Sequence, residues 1–97
     1  MSDEQIAELG KALGHPHRTG FMRALGGRET LAPSEYAAEM KADLGTVSYH
    51  CLALRRAKAI EVKERVPRRG AVEHRYALGP QGPTVLALID LLDKSAR

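Results

Sequence analysis

The chain contains a single cysteine, no basic and apolar leader, and no apolar run long enough to cross a bilayer. One cysteine cannot form a disulfide within the chain, so nothing favours an oxidising compartment. The N-terminal stretch MSDEQIAELG is acidic and amphipathic, unlike a secretory signal peptide. We therefore expect a cytoplasmic protein that has no membrane partner.

Motifs of catalysis are missing as well. The sequence has no glycine-rich phosphate loop, no nucleophile with an accompanying base, and no carboxylate pair in an evident cleft. His15 and His17 stand two residues apart, which is too few ligands for a metal site within one chain. At 97 residues, the chain is predicted to be one domain spanning 1–97, without enzymatic activity, cofactor or metal.

Positive charge is concentrated in one part of the chain. Residues 1–54 carry a net charge of −2 and residues 55–75 carry +5, within a total of +3. Such clustering is typical of a nucleic-acid-binding surface, because the negatively charged phosphates attract clustered positive side chains. The alternative is a solvated hairpin whose charges are paired with each other.

The most informative stretch, 43–78, predicts one helix followed by a two-stranded ribbon. Asp43 is a favourable N-cap residue, and one buried helix face is indicated by Val47, Cys51 and Leu54. A β-branched run at 60–66 and an alternating run at 72–78 flank the turn sequence PRRG at 67–70. A short polar helix leading into a hairpin with an arginine tip indicates a winged helix-turn-helix.

Apolar spacing predicts four further helices, at about 3–13, 16–26, 34–41 and 84–95. Gly20 inside the second predicts a close approach between helices, and 29–32 predicts a short extended segment. Inward-facing side chains are expected at Phe21, Met22, Leu25, Tyr36, Ala37 and Met40. The predicted fold is mainly α with a β-hairpin wing (α+β), in the order α-α-α-α-β-β-α.

These segments resemble, in order and spacing, the ArsR-type winged-helix transcriptional regulators of bacteria over roughly residues 6–92. The resemblance rests on 13–18 (LGHPHR), 46–50 (TVSYH), 54–60 (LRRAKAI) and 68–78 (RRGAVEHRYAL). It implies a homodimer formed by the first and last helices. It also implies operator binding through the helix that begins at Leu44 and through two wings.

Some residues depart from the family pattern. His17 and Thr19 replace aliphatic residues, which predicts loose packing or a polar neighbour. Ala32 replaces an N-cap serine, which should weaken the start of the third helix. Lys58 replaces the glycine after the recognition helix. Because a lysine in the left-handed conformation costs roughly 1 kcal/mol, we expect that helix to end differently.

The recognition helix and the wing are expected to contact double-stranded DNA. Helix hydroxyls would reach base edges or phosphates, later arginines would meet phosphates, and arginines of the wing tip would enter the minor groove. The candidates are Thr46, Ser48, Tyr49, His50, Arg55, Arg56, Lys63, Arg68, Arg69 and Arg75. A dimer would read half-sites about one helical turn apart, so we expect a repressor that recognises an inverted repeat.

The last helix is apolar over more than one stripe, which a small domain cannot easily cover alone. Part of it is expected to pack against a second copy, the alternative being that it lies across its own core. Together with the first helix it provides the predicted dimer-interface residues, which are Ile6, Leu9, Leu13, Val85, Leu88, Ile89 and Leu92.

Other functions remain open at this stage. Metal sensing through the family's sites is not expected, because the third helix lacks a thiol and the last lacks a histidine. Cys51 would act as a redox switch if it were exposed, but its spacing predicts a buried side chain. A protein–protein module is another alternative, because Leu52 and Ala53 lie on or beside the exposed helix face. A protein partner or effector is compatible with either function.

Overall fold

A computed structural model of the chain describes residues 1–96, and its element order is the one that the sequence predicts. The elements are α1 (Asp3–Lys11), α2 (Pro16–Gly26), α3 (Pro33–Met40), α4 (Leu44–Arg56), β1 (Ile60–Arg68), β2 (Ala71–Leu78) and α5 (Gly82–Ser95). This arrangement is a winged helix-turn-helix, which confirms the predicted fold class. Within residues 1–96, no helix is both long enough and apolar enough to cross a membrane.

The starts of α3 and α4 are stabilised by side chains that accept hydrogen bonds from backbone N–H groups. Asp43 accepts the Thr46 amide at 2.9 Å, which confirms it as the N-cap of α4. Ala32 has no side-chain acceptor, but Glu35 Oε1 accepts the Ala32 amide at 3.0 Å. Half of a capping box is therefore present at α3, which partly offsets the expected weakening.

The end of α4 contradicts the expectation for Lys58. Lys58 adopts the left-handed conformation with φ of 60°. The Ala59 amide donates to the Leu54 carbonyl and the Lys58 amide to the Arg55 carbonyl, both at 3.0 Å, as in a Schellman motif. The prediction that α4 ends differently is wrong, because these two hydrogen bonds hold the lysine where a glycine is usual.

The core is formed by one face of the helices and the inner side of the wing. Its largest fully buried side chains are Phe21, Met22, Leu25, Leu31, Leu54, Ile60, Val47, Val85 and Cys51. Tyr36 and Ala37 are buried as predicted. Met40, however, is 56% exposed, because α3 ends there and the chain turns away through Lys41, with φ of 52°. Its predicted inward orientation is wrong.

Gly20 leaves room for the side chain of Tyr36 in α3. A Cβ atom at position 20 would overlap the hydroxyl of Tyr36. The Tyr36 ring is buried and packs edge-on against Phe21, with centroids 5.6 Å apart, so it has little freedom to move aside. The close packing at Gly20 is thus between the backbone of α2 and a side chain of α3, rather than between two helix backbones.

The wing is an antiparallel hairpin with a two-residue turn. Arg69 and Gly70 both have positive φ, at 45° and 84°, as tight hairpin turns of this length require. The turn is therefore shorter than the predicted 67–70. A shift in the pairing register leaves Lys63 as a bulge in β1.

The predicted extended segment at 29–32 joins the wing to the core. Leu31 pairs with Tyr76 of β2, and their amides and carbonyls exchange hydrogen bonds of 2.8 and 2.9 Å. Both residues are buried. The base of the wing is thus fixed, while its tip projects from the domain.

Candidate nucleic-acid interface

A tight connection presents α4 at the surface. Three residues separate α3 from α4, and the Ala42 amide donates to the Ala37 carbonyl at 2.9 Å to close α3. Val47, Cys51 and Leu54 anchor α4 to the core, as the sequence predicts. Its opposite face is left open, which is the geometry of a recognition helix.

The open face of α4 carries mainly apolar side chains rather than charged ones. Leu44, Tyr49 and Leu52 are 49%, 58% and 46% exposed, respectively. Thr46 is also exposed, but its hydroxyl donates to the Asp43 carboxylate at 3.1 Å. The Asp43 pKa lies below its ordinary value, mainly because of the hydrogen bond from the Thr46 amide. Thr46 therefore belongs to the cap of α4.

His50 points toward α2 rather than outward. Its Nδ1 accepts a hydrogen bond from Arg18 Nε at 3.0 Å, and its ring stacks on His15 with centroids 3.9 Å apart. Burial lowers the His50 pKa, and His15, Arg18 and His17 lower it further. A DNA contact at His50 stays a prediction, while Arg18 and His15 engage its ring within the domain.

His17 of α2 packs against the same group of rings, which consists of His15, His50 and Tyr36. The His17 ring stacks against His15 and meets Tyr36 edge-on, with centroid distances of 5.4 and 6.0 Å. The polar neighbour expected for His17 is thus present. Among residues 1–96, no group of three His, Cys, Asp or Glu side chains is arranged to hold a metal ion.

Cationic side chains lie at the end of α4 and along the wing. Arg55 and Arg56 are exposed in the last turn of α4, and Arg55 also reaches the Tyr76 hydroxyl. Lys63 is exposed at the bulge and Arg69 at the hairpin turn. Within the described chain, Arg56, Lys63 and Arg69 form no ion pair, so their charges are free for phosphates.

Arg68 is partly committed to the wing itself. It lies in β1 rather than in the turn, and its Nε pairs with a Glu73 oxygen at 3.0 Å. The other oxygen of Glu73 accepts the Ser34 hydroxyl at 2.5 Å. This chain of contacts ties the wing to α3. Arg68 is the last residue of β1 and flanks the turn, so its exposed side chain lies at the wing tip as predicted.

Arg75 is held inside the domain. Its guanidinium pairs with Glu35 at 2.7 Å and donates to the Thr30 hydroxyl at 3.2 Å, and the side chain is only 24% exposed. The Glu35 pKa is lowered chiefly by the hydrogen bond from the Ala32 amide, and Arg75 lowers it further. A DNA contact at Arg75 stays a prediction, while its contacts to Glu35 and Thr30 hold the guanidinium against the domain.

A groove of about 460 Å³ runs between α4 and the wing. Leu44, Ser48 and Leu52 line one wall at intervals of four residues, and Val72 and Tyr76 of β2 contribute to the other. This groove was not predicted from the sequence, and Leu44 was not among the predicted DNA-binding residues. The four-residue spacing of Leu44, Ser48 and Leu52 in the sequence indicates that they share one helix face. The opposite wall of the groove could not be predicted, because it depends on how the wing packs against α4.

Cys51 is a buried core residue, as its spacing predicts. Its side chain is 1% exposed, and burial raises the pKa of the thiol to about 12. The thiol is therefore almost entirely protonated near neutral pH. This geometry does not support the redox alternative.

The predicted dimer residues fall into three groups by their burial. Leu9, Val85 and Ile89 are buried in the chain's own core, so they offer no surface to a partner and their assignment is corrected. Leu13 and Leu88 are half-buried. The large apolar side chains left exposed on these helices are Ile6, Leu92 and Leu91, and Leu91 was not among the predicted interface residues.

No protein-family model and no curated protein matches the chain. Solved structures do match. Reduced HlyU from Vibrio cholerae has a TM-score of 0.71 at 21% identity, covering 94% of this chain and 87% of that one. A homodimeric winged helix-turn-helix DNA-binding domain from Mycobacterium bovis is described as a possible ArsR-family regulator. It matches with a TM-score of 0.68 at 24% identity, covering 99% of this chain and 87% of that one. The transcriptional repressor PagR of Bacillus anthracis matches with a TM-score of 0.65 at 28% identity, covering 92% of this chain and 93% of that one.

Of these neighbours, the Mycobacterium bovis domain is described as a winged helix-turn-helix DNA-binding domain and PagR as a transcriptional repressor. The likeness extends over nearly the whole chain and includes both terminal helices. The winged-helix fold that the resemblance implies is confirmed by these structures.

Proposed function

We propose that this chain is a cytoplasmic, sequence-specific regulator of transcription that binds double-stranded DNA as a homodimer and acts as a repressor. It acts by binding rather than by catalysis. The observation that carries the proposal is the exposed α4, flanked by the unpaired cations Arg56, Lys63 and Arg69. A helix of this kind enters the major groove, while a projecting wing follows the adjacent backbone.

The charge distribution supports DNA as the partner. The net charge of +5 in residues 55–75 falls on the end of α4 and on the wing, while residues 1–54 are net negative. Phosphate contacts supply most of the sequence-independent affinity of DNA-binding proteins. Attraction would therefore orient the α4 and wing face toward the duplex.

The dimer is supported by the apolar side chains that the terminal helices leave exposed. Ile6, Leu91 and Leu92 are each more than half exposed in one protomer. The Mycobacterium bovis neighbour is homodimeric. Two copies related by a two-fold axis would present two α4 helices, and such pairs bind an inverted repeat.

Selection of bound duplexes from a random pool tests this function, followed by affinity measurements across salt concentrations. An enriched inverted repeat bound by two protomers is the expected result. Leu92→Glu should weaken both self-association and specific binding, whereas Leu52→Glu on α4 should weaken binding alone. Weak, steeply salt-dependent binding without enrichment would reject the proposal. That outcome would favour the alternative of a protein-binding module, for which the groove beside α4 is suited.

A further inference from the structure

The outward face of α4 lacks the side chains that identify a base by paired hydrogen bonds. Specific contacts in the major groove are made mainly by Arg or Lys to guanine and by Asn or Gln to adenine, with Asp or Glu accepting from cytosine. None of these six residue types occurs in residues 44–54, LGTVSYHCLAL. The two arginines of the helix follow only at its end, at positions 55 and 56.

Two of the polar groups on α4 are also occupied. The Thr46 hydroxyl donates to the cap residue Asp43, and His50 is bonded to Arg18 and stacked under His15. Among residues 1–96, the hydroxyls of Ser48 and Tyr49 have no hydrogen-bond partner. A hydroxyl donates or accepts a hydrogen bond with any base, so these two groups discriminate poorly.

Besides the Tyr49 ring, the large apolar side chains exposed on α4 are Leu44 and Leu52, each about half exposed and four residues to either side of Ser48. Both lie on the side of α4 that faces the wing. The major-groove edges of the base pairs carry one apolar group, the C5-methyl of thymine. Burial against this methyl is the recognition that such a surface can provide.

Building on the function proposed above, we infer that α4 selects A·T pairs by packing Leu44 and Leu52 against thymine methyl groups. The cations at the end of α4 and on the wing hold the duplex through its phosphates and carry no sequence information themselves. Leu52 and Leu44 are then the residues that determine specificity. The preferred site should contain thymines under α4 in each half-site.

Replacing thymine by deoxyuridine in the selected duplex tests this inference, because the exchange removes the methyl and keeps the base pairing. Burial of one methyl corresponds to about a fourfold change in affinity. We expect the wild-type protein to bind about fourfold more weakly for each contacted thymine that is replaced. In Leu52→Ala, the thymine duplex should bind more weakly and the thymine-to-uracil ratio should fall toward one at the position that Leu52 contacts.

Met40→Ala is the matched control, since it removes similar exposed apolar surface from α3 and should leave the ratio unchanged. Specific binding with no loss at any uracil position, or a selected consensus of G·C pairs alone, would overturn the inference while leaving the proposed function intact. Absence of specific duplex binding would reject both. Thermal unfolding of each variant verifies that the domain is folded.

Discussion

Arg18 Nε donates a hydrogen bond to Nδ1 of His50 at 3.0 Å and so links the start of α2 to the middle of α4. The acceptor nitrogen must be unprotonated for this bond to exist. On the other side, the His50 ring is covered by His15. The position of the proposed DNA-reading helix thus depends on a neutral imidazole.

Acidification should destabilise the domain through His50. Its pKa in the folded protein lies below the ordinary value of 6.5, mainly because of burial and then because of His15, Arg18 and His17. The unfolded chain therefore binds more protons as the pH falls through 6.5, and the free energy of unfolding decreases until the native pKa is passed. Urea unfolding between about pH 7 and pH 5 measures this slope.

His50→Asn is the control for that slope, because an amide oxygen can accept the Arg18 hydrogen bond and does not titrate. The variant should be less stable at neutral pH, since it loses the ring stacking. Its stability should nevertheless vary less with pH over the same interval. Equal slopes in both proteins would show that other groups account for the acid sensitivity.

Gly20→Ala should destabilise the domain despite the better helix propensity of alanine. The propensity gain is about 1 kcal/mol. Overpacking against the Tyr36 hydroxyl costs about 1 to 3 kcal/mol, and the buried ring cannot easily yield. In a Tyr36→Phe background the hydroxyl is absent, so the same change should become nearly neutral. Thermal unfolding of the four proteins measures the coupling, and additive effects would contradict this explanation.

Lys58→Gly should stabilise the domain by up to about 1 kcal/mol, because glycine adopts the left-handed conformation without the strain of a side chain. The two hydrogen bonds that close α4 would be retained. Lys58→Ala is the matched control and should give no such gain, since alanine keeps the Cβ. Chemical denaturation compares the three proteins, and similar stability of the Gly and Ala variants would argue against strain at this residue.

Arg69 and Arg75 should affect DNA binding differently, although both belong to the wing. Arg69→Ala should lower the salt slope of DNA affinity by about 1 and leave thermal stability nearly unchanged. Arg75→Ala should keep the slope but lower the melting temperature, because it breaks the contacts to Glu35 and Thr30. A reduced slope without loss of stability in Arg75→Ala would place that residue on the DNA instead.

The thiol of Cys51 should be unreactive in the folded protein. It is buried, and its pKa is raised to about 12, so very little thiolate exists near neutral pH. An aromatic disulfide reagent should label the residue only after denaturation. A loss of DNA binding on peroxide treatment that Cys51→Ser prevents would contradict this prediction and restore the redox alternative.

The order of the elements was determined by local features of the sequence. Asp43 caps α4 through an amide three residues away, and the helical spacing of Val47, Cys51 and Leu54 defines its buried side. Helix boundaries and the hairpin depend on such short-range preferences, which a linear pattern records. The concentration of positive charge beyond residue 54 is likewise a property of the sequence alone.

Which side chains remain available for a partner was decided by the tertiary structure. Arg18 meets His50 across 32 residues, Ser34 meets Glu73 across 39, and Arg75 meets Thr30 across 45. Periodicity also shows that α5 is broadly apolar without showing which side the core covers. Because these contacts depend on how distant elements pack, the sequence alone determined the recognition helix and the wing, while the fold determined which of their side chains are free to bind.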